Sequence, residues 1–303
     1  MNGILNIHKP GDMTSFSVVA HVKHLTRERK VGHAGTLDPQ ATGVLPICLG
    51  QATRIIEYLF DESKAYRAEI ELGVTTDTYD SSGKICRTED SSDISREMVE
   101  SALSKFRGNI QQTPPMYSAI KHRGKPLYKL ARSGVEVERK SRQVRVDRLE
   151  IAGWQPPVVI LEAVCGKGTY IRSLAYDLGE ELGCGANLKS LIRIRVGPFS
   201  LVDALTLTQL EEASRLGHLG KHLYPVDYVL SNFRAVTVNE EQQGALIHGS
   251  SVSLHPGAGE ESPGITDGTL SRAYSRDGRF LAMVRYNAAS HQWHPEKIFL
   301  QDA

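Results

Sequence analysis

Strand-like and helix-like segments are intermixed through the first 200 residues, and this pattern constrains the fold more than any other feature of the chain. Alternation and β-branched residues predict strands at "KAYRAEIELGV", "RQVRVDRLEIAGW", "PVVILEAVCG" and, as a short buried strand, "VLPICLG". Helical periodicity predicts helices at "TSFSVVAHVKHLTR", "QATRIIEYLF", "SREMVESALSKFRG" and "GTYIRSLAYDLGEELGCG", while "QTPPMYSAIKHRGKPLYKLARSG" is proline-rich and then helical. Because strands and helices do not alternate regularly, we expect an α+β fold with a mixed, largely antiparallel sheet flanked by helices.

A change in sequence character near residues 225–235 predicts a domain boundary. Beyond it, short strand-like runs alternate with Gly, Ser and Pro turns, as in "VSLHPGAGEESPGITDGTLSRAYSRDGRFLAMVRY". This pattern is typical of a small all-β module. The length of 303 residues also suits about two domains. We therefore expect a larger domain over residues 1–230 and a small β-barrel-like domain over residues 234–303.

Composition and cysteine usage indicate a cytoplasmic globular protein. Hydrophobic residues make up 40% of the chain and charged residues 23%, which is ordinary for a globular protein. No apolar run reaches the roughly 18 residues of a membrane span. The N-terminal "MNGILNIHKPGDMTS" lacks the basic start and apolar core of a secretory signal. The four cysteines form no C-x-x-C pair, so we interpret them as reduced thiols: Cys48, Cys86, Cys165 and Cys184.

The small net charge of +1 hides two basic segments. Residues 121–148 contain ten Lys and Arg against three acids, with Tyr128 among them. Residues 21–33 contain four Lys and Arg against one acid, and they lead directly into the glycine-rich stretch "VGHAGTLDPQATGVLPICLG". A single segment of this kind is more often a solvated surface, but two of them favour a polyanionic partner such as a nucleic acid.

Several cofactor and metal motifs are missing from the sequence. There is no G-x-x-x-x-G-K-[ST] loop, and "CGKGTYI" lacks the third glycine of a dinucleotide-binding fingerprint. There is no H-E-x-x-H, "DTYDSSG" departs from a calcium loop, and no G-x-S-x-G nucleophile motif occurs. The pair His218 and His222 has no third ligand nearby. We therefore expect chemistry without a nucleotide cofactor or metal, or no chemistry at all.

Three residues could nevertheless carry a reaction. Asp38 precedes a proline in the glycine-rich stretch, which favours an extended and stiff backbone. Arg172 lies in the first turn of a predicted helix, where free amides favour an anion such as a carboxylate. Such a carboxylate would stay ionised and could attack a sugar carbon, with Tyr66 stacking on a base or moving a proton. Taken singly, each residue also fits a bland role: a capping acid, a surface arginine and a half-buried aromatic.

The order of five sequence blocks resembles that of the bacterial tRNA pseudouridine-55 synthases of the TruB type. The blocks are "NIHKPGDMTS", "GHAGTLDPQATGVLPICLG", "KAYRAEIELGVTTDTYDSSG", "QTPPMYSAIKHRGKPLYKLARSG" and "KGTYIRSLAYDLGEELGCGANLKSL". The resemblance covers roughly residues 3–230. Residues 234–303 resemble, more weakly, a PUA RNA-binding module. Asn187 departs from the family, in which a histidine is expected at this position, and this departure affects only a local contact.

The resemblance assigns roles to individual residues. Asp38 corresponds to the essential aspartate, Tyr66 to the active-site tyrosine that stacks on the target base, and Arg172 to the arginine that ion-pairs with the aspartate. His33 corresponds to the histidine that enters the RNA loop. Lys9 and Pro10 belong to a motif that supports the site, and Asp77 and Asp80 are expected to shape the substrate loop. We also assign RNA contacts to Lys9, Lys121, Arg123 and Lys125.

The implied activity isomerises uridine to pseudouridine at position 55 in the T-loop of tRNA. The N1–C1′ bond breaks, the uracil rotates and it rejoins the sugar through C5, so no cofactor is needed. Asp38 would attack the sugar or assist elimination, and the target base would be flipped out of the folded arm. The expected partner is the tRNA T-arm, and the expected oligomeric state is a monomer. Two alternatives stay open: a non-catalytic tRNA-binding or folding module, and a base-excising glycosidase.

Overall fold

A computed structural model of the protein describes residues 1–254 and 265–299. The turn segment expected within residues 255–264 lies outside the described residues. The described strands are β1 (Gly3–Lys9), β2 (Val31–His33), β3 (Thr42–Leu49), β4 (Lys64–Leu72), β5 (Val74–Thr76), β6 (Ile85–Thr88), β7 (Gly108–Gln112), β8 (Lys121–His122), β9 (Lys125–Pro126), β10 (Arg142–Gln155), β11 (Val158–Cys165), β12 (Ala186–Val196), β13 (Phe199–Ser200), β14 (Arg234–Thr237), β15 (Leu270–Tyr274), β16 (Phe280–Asn287) and β17 (Gln292–Ile298).

Seven α-helices and four 3₁₀ turns are described between these strands. The helices are α1 (Ser15–Thr26), α2 (Ile56–Asp61), α3 (Arg96–Leu103), α4 (Leu127–Arg132), α5 (Ile171–Leu182), α6 (Leu207–Arg215) and α7 (Glu240–Ile247). The 3₁₀ turns are Gly50–Ile55, Ser104–Phe106, Leu219–His222 and Val226–Leu230. In these described parts of the chain, no helix is long and apolar enough to cross a membrane.

A nine-stranded sheet forms the frame of the larger part of the molecule. Its strand order is β1-β3-β12-β4-β11-β10-β7, with β2 added to β3 and β13 added to β12. Only the β3–β12 pair is parallel in this sheet, and the other pairs are antiparallel. Helices α3 and α5 cover β4, β10 and β11 with one apolar core, and α1 and α6 cover β1 and β3 with another. The expected α+β fold with a mixed, largely antiparallel sheet is confirmed.

Local sequence signals explain the ends of the helices that matter for the site. Thr14 caps α1, and its side chain accepts a hydrogen bond from the Ser17 amide. Helix α5 ends at Gly183, whose φ of 80° lies in the left-handed region that favours glycine. The predicted helix closed by Gly108 is shorter than expected, since α3 ends at Leu103 and Gly108 opens β7. Strand β12 and helix α6 were not predicted from the pattern.

The C-terminal part is a four-stranded sheet, β14-β15-β16-β17, with a helix packed against it. The expectation of an all-β module is therefore wrong in one element, the helix α7. Asn239 caps this helix, and a capping box joins it to Gln242. Both orphan amides at the start of the helix are satisfied in this way, so a short polar helix is stable despite its weak apolar pattern.

The two sheets share an apolar core. Phe280, Met283 and Phe299 of the C-terminal part belong to the same buried cluster as Ile55 and Leu59 of the larger part. Polar contacts add to this seam. The Lys297 ammonium donates to the Arg54 carbonyl at 2.7 Å, and the Tyr274 hydroxyl donates to Asp227 at 2.5 Å. The seam explains why the C-terminal part stays in place beside the larger sheet.

We expect deletion of residues 234–303 to lower the thermal stability of the remaining chain. The deletion strips the covering side chains from Ile55 and Leu59, and burial of each Phe or Met side chain is worth roughly 1.5–3 kcal/mol. The loss is a large share of a typical domain stability of about 5–15 kcal/mol. Thermal unfolding followed by circular dichroism tests this expectation. An unchanged melting temperature would mean that the seam contributes nothing to stability.

Candidate active site

The loop that carries Asp38 is fixed on both sides of the carboxylate. On one side the Leu37 amide donates to the Ser15 hydroxyl oxygen at 2.9 Å, and the Ser15 hydroxyl lies 3.2 Å from the Leu37 carbonyl. On the other side the Lys9 ammonium donates to the Pro39 carbonyl at 2.9 Å. The Asp38 side chain itself is 40% exposed. The protein thus presents one carboxylate to the solvent from a rigid backbone.

Arg172 is buried beneath this carboxylate and pairs with it through two nitrogens. Its Nε lies 2.9 Å from Asp38 Oδ2, and its Nη2 lies 3.0 Å from Asp38 Oδ1. The arginine side chain is only 5% exposed and also donates to the Tyr117 carbonyl at 2.9 Å. It lies in the first turn of α5, as the sequence predicted. One hydrogen bond from Nη2 and a close ion-pair contact from Nε together orient the carboxylate.

A second carboxylate approaches the same guanidinium from the turn between β5 and β6. Asp80 Oδ2 lies 3.5 Å from Arg172 Nη1, while Asp80 Oδ1 accepts from the Thr78 hydroxyl at 2.7 Å. The Tyr79 ring stacks on Tyr176 of α5, with ring centroids 4.0 Å apart. This stack holds the turn against the helix. Asp77 lies in the same turn, where its carboxylate accepts from the Lys84 amide at 2.8 Å.

Tyr66 lies on β4 and is 8% exposed. Its ring belongs to the apolar core under α5, in the same cluster as Leu37. Burial raises the pKa of the Tyr66 hydroxyl, and the charge of the nearby Arg193 guanidinium opposes that rise. The phenol is therefore held at the edge of the core, beside the loop that carries Asp38.

His33 is half-buried on β2, in the same loop region as Asp38. Its Nδ1 has no hydrogen-bond partner among the described residues. Burial lowers the pKa of the His33 imidazole, and the Arg193 charge lowers it further. Both effects favour the neutral form of the imidazole.

The Asp38 carboxylate feels two opposing electrostatic effects. Burial raises its pKa, while the paired Arg172 guanidinium lowers it and the Asp80 charge raises it again. Burial also lowers the pKa of Lys9 to about 8. Because Arg172 pairs with Asp38 at hydrogen-bond distance, its positive charge limits the rise in the Asp38 pKa that burial causes.

The assigned RNA contacts divide into buried and exposed residues. Lys9 is fully buried, and its ammonium donates to the carbonyls of Pro10, Met13 and Pro39. The assignment of Lys9 as an RNA contact is wrong for this reason, and the residue supports the Asp38 loop instead.

Lys121, Arg123 and Lys125 are exposed on the hairpin formed by β8 and β9. This hairpin begins four residues after Tyr117, whose carbonyl accepts from Arg172, so the three cations lie beyond the rim of the site. The rest of the basic segment is less available, because Arg145 and Arg148 pair with carboxylates on neighbouring strand positions. The hairpin cations, together with the exposed Lys129 and Lys140, are therefore the accessible part of that segment.

Three further observations complete the site. Asn187 is buried, and its amide donates to the Val74 carbonyl at 3.0 Å, so it holds strands together and does not face the cleft. Among residues 1–254 and 265–299, no group of three or more His, Cys, Asp or Glu side chains could hold a metal ion. Ser15 and Arg193 contact site residues, yet no motif had singled them out. An arginine inside the apolar run "SLIRIRV" was the available signal for Arg193.

The geometry suits displacement or elimination at a carbon that bears a good leaving group. One partly exposed carboxylate is held by a buried guanidinium, and a phenol lies nearby to exchange a proton. The His33 imidazole, whose pKa is lowered by burial, lies on β2 ahead of the same loop.

Comparison with known families matches two models end to end. A model described as "TruB family pseudouridylate synthase (N terminal domain)" matches residues 23–171. A model described as "tRNA pseudouridylate synthase B C-terminal domain" matches residues 172–231. The boundary between the two falls inside α5, directly before Arg172.

Individual proteins are similar over the whole chain. A protein of Dehalococcoides mccartyi (strain ATCC BAA-2266 / KCTC 15142 / 195) named tRNA pseudouridine synthase B is 47% identical over 300 residues, covering 99% of this chain and 97% of that protein. A protein of the same name from Clostridium perfringens (strain SM101 / Type A) is 43% identical over 303 residues and covers 100% of both chains. A chain in the crystal structure of a Cbf5-Nop10-Gar1 complex superimposes with a TM-score of 0.73 at 26% identity, covering 99% of this chain and 84% of that chain.

Proposed function

Because the chain belongs to the TruB family of pseudouridylate synthases, we propose that it isomerises uridine to pseudouridine at position 55 in the T-loop of tRNA. The protein is a pseudouridine synthase, an isomerase that acts on tRNA uridine. The observation that carries the finer proposal is the ion pair of Asp38 and Arg172, in which a buried guanidinium holds a partly exposed carboxylate in one orientation. The T-arm is the proposed recognition element of the tRNA. The monomeric state of the protein stays a prediction.

In the proposed mechanism Asp38 acts on the sugar of a flipped uridine. It either attacks C1′ or assists elimination, and in both cases the N1–C1′ bond breaks with its electron pair leaving on the uracil. Tyr66 stacks on the base and exchanges a proton, and His33 occupies the space left in the RNA loop. Flipping the base costs roughly a few kcal/mol. A preformed site lowers the remaining barrier, because the reacting groups are already oriented.

The C-terminal part is proposed as a PUA-like RNA-binding module, with the boundary between residues 230 and 234. The sheet and helix of residues 234–299 support a separate unit, although several of its cations are engaged within the protein. Arg285 pairs with Glu296, and Arg272 donates to the Phe233 carbonyl. We therefore expect the module to add contact area to bound tRNA more than charge. A cytoplasmic location stays a prediction from the four unpaired cysteines.

The central test is nucleoside analysis of an unmodified tRNA after incubation with the purified protein and no added cofactor. Pseudouridine at position 55 supports the proposal. Pseudouridine at another position contradicts the proposed site in the tRNA. Tight tRNA binding without conversion would favour the folding-module alternative, and free uracil in the supernatant would favour a glycosidase.

We expect tRNA affinity to depend on salt and on the β8–β9 hairpin. With roughly four to six phosphate contacts, log affinity should fall against log salt with a slope of about −3 to −5. Lys121→Glu with Lys125→Glu should weaken binding and flatten the slope. Filter binding over a salt series measures both quantities.

A charge-matched control for the hairpin variant is Arg215→Glu with Lys221→Glu, since both residues are exposed at α6 and the following 3₁₀ turn. This pair should leave the slope unchanged. Equal effects of the two double variants would mean that net charge, and not the hairpin surface, controls binding.

We expect the rate to fall as the pH drops through the pKa of Asp38, because only the ionised carboxylate is reactive. Burial raises that pKa and the Arg172 guanidinium opposes the rise. Arg172→Met removes the opposing charge, so the acid limb of the single-turnover rate should move to higher pH. The control variant Arg195→Met, which removes a cation from β12, should leave the acid limb of the rate at the same pH. An unmoved limb in Arg172→Met would assign it to another group.

A further inference from the structure

An arginine without a carboxylate partner is buried beside Tyr66. Arg193 lies on β12 and is 1% exposed. Within residues 1–254 and 265–299, no carboxylate lies at ion-pair distance from its guanidinium. Its charge also acts on two other buried cations, because it lowers the pKa of both Lys9 and Lys64. Burying a charged guanidinium near two other cations costs free energy of folding, so we expect an interaction that compensates for this cost.

The guanidinium contacts two neutral carbonyls and one group that can become an anion. Arg193 Nε donates to the Val44 carbonyl at 2.8 Å, and Nη2 donates to the Gly35 carbonyl at 2.9 Å. The third neighbour is the Tyr66 hydroxyl, which lies close enough to the guanidinium for the Arg193 charge to oppose the rise of the Tyr66 pKa. Arg193 and Tyr66 are direct cross-strand partners in the β12–β4 pair, so both side chains leave the same face of the sheet.

Two glycines make room for this arrangement. A Cβ at Gly43 would lie 2.2 Å from the Arg193 carbonyl oxygen, and Gly43 has a φ of 106°. A Cβ at Gly35, whose φ is 86°, would lie 3.3 Å from Arg193 Nη1. Gly35 stands between His33 and Asp38 in the chain. Arg193 therefore joins the Tyr66 hydroxyl to the loop that carries both of those residues.

From these contacts we propose that Arg193 is a positioning residue for the reaction, which orients the Tyr66 hydroxyl and stabilises the phenolate form of Tyr66. The proposal rests on the proposed function, because it deepens the part assigned there to Tyr66. Arg193 does not touch the substrate and acts only through the phenol. Its charge is balanced when the phenolate forms, which explains why the folded protein keeps an unpaired cation at this point.

The proton balance of the isomerisation gives the phenolate a task. Uridine carries hydrogen on C5 and none on N1, whereas pseudouridine carries hydrogen on N1 and none on C5. C5 bonds to C1′, and with it either the Asp38–C1′ bond breaks or the glycal formed by elimination regains its C2′ proton. The C5–H bond then breaks, its electron pair returns to the ring and the proton passes to the Tyr66 phenolate. The resulting phenol returns a proton to N1, directly or through water. One proton moves from C5 to N1, and the enzyme ends as it began.

The first test compares Arg193→Met and Arg193→Lys with the control Arg195→Met. Arg195 lies two residues along β12 and donates to Ser63 and Gly197, away from Tyr66. Single-turnover rates on a T-arm hairpin are measured from about pH 6 to 10, a range that approaches tyrosine ionisation. Arg193→Met should lower the rate roughly a hundredfold or more and move the alkaline limb to higher pH, with hairpin affinity unchanged. Arg193→Lys should recover part of the rate, and Arg195→Met should match the wild type.

The second test separates electrostatic support from a purely structural role. A fluorinated tyrosine at position 66, whose phenol is more acidic, should restore rate in the Arg193→Met background. Adding Arg193→Met to Tyr66→Phe should cause no further loss, since the group on which Arg193 acts is already gone. A structural role predicts additive losses and no rescue by fluorination.

Each outcome distinguishes the two levels of the proposal. Full activity of Tyr66→Phe would overturn the role of Tyr66 in the proposed function. A defective Tyr66→Phe with an unaltered rate and pH profile in Arg193→Met would overturn only the role of Arg193. If circular dichroism shows that Arg193→Met is unfolded, fluorinated Tyr66 in the otherwise wild-type chain decides the question. A rate that rises with phenol acidity near pH 7 supports the proposal, and a rate indifferent to it overturns the proposal.

Discussion

Asp38→Asn is expected to form no detectable pseudouridine in a transcribed T-arm hairpin. Asparagine keeps the shape of the side chain, but it is a poor nucleophile and cannot form an ion pair with Arg172. Loss of a covalent nucleophile can cost on the order of a millionfold in rate. The variant should still fold, because Arg172 keeps Asp80 and the Tyr117 carbonyl as partners. Pseudouridine is measured by nucleoside analysis after single turnover at saturating enzyme.

Binding measured in parallel separates a catalytic defect from a binding defect. One carboxylate facing a phosphate-rich ligand supplies no attraction, so hairpin affinity should be unchanged or slightly higher in Asp38→Asn. Asp203→Asn, at an exposed position after β13, serves as the matched control and should keep the wild-type rate. Full activity in Asp38→Asn would refute the proposed mechanism.

Tyr66→Phe is expected to lower the rate by roughly a hundred- to ten-thousandfold, the range typical of a lost proton-transfer group. The phenyl ring keeps its place in the core and its ability to stack on a base, so hairpin affinity should hardly change. The buried Arg193 keeps its hydrogen bonds to the Gly35 and Val44 carbonyls, which favours a folded variant. Single-turnover rate and affinity are measured on the same hairpin.

The matched control for Tyr66→Phe is Tyr176→Phe, which removes a hydroxyl from a ring that stays stacked on Tyr79. Its rate should equal that of the wild type. A Tyr66→Phe variant with weakened affinity and an unchanged rate at saturation would assign the hydroxyl to substrate binding and not to proton transfer.

The chemistry of the site could be predicted because its residues stand in motifs whose backbone is restricted locally. The proline after Asp38 restricts the backbone of that residue. Thr14 begins α1 and Gly183 ends α5, in both cases through local contacts. Arg172 was predicted to occupy the first turn of a helix, and the structure begins α5 at Ile171. Such signals depend on neighbours a few residues away, and a sequence displays those directly.

Other parts of the site could not be predicted, because they depend on which surface another element covers. Lys9 carries the positive charge expected of an RNA contact, yet it is fully buried under the Asp38 loop. Strand β12 contains polar residues at positions that the pattern would leave in solvent, but it lies between β3 and β4 in the middle of the sheet. The shared core of the two sheets likewise joins residues more than 200 positions apart, such as Ile55 and Phe280.

The sequence by itself determined the fold class, the stiff loop that presents Asp38 and the family to which the chain belongs, since these follow from local backbone preferences and ordered motifs. Only the tertiary structure decided that Asp38 and Asp80 meet one guanidinium, and that Arg193 is buried against Tyr66. The physical reason is that the interaction energy of two charges depends on the distance between them and on their exclusion from water. Both quantities arise only when β12 inserts between β3 and β4 and brings distant parts of the chain together.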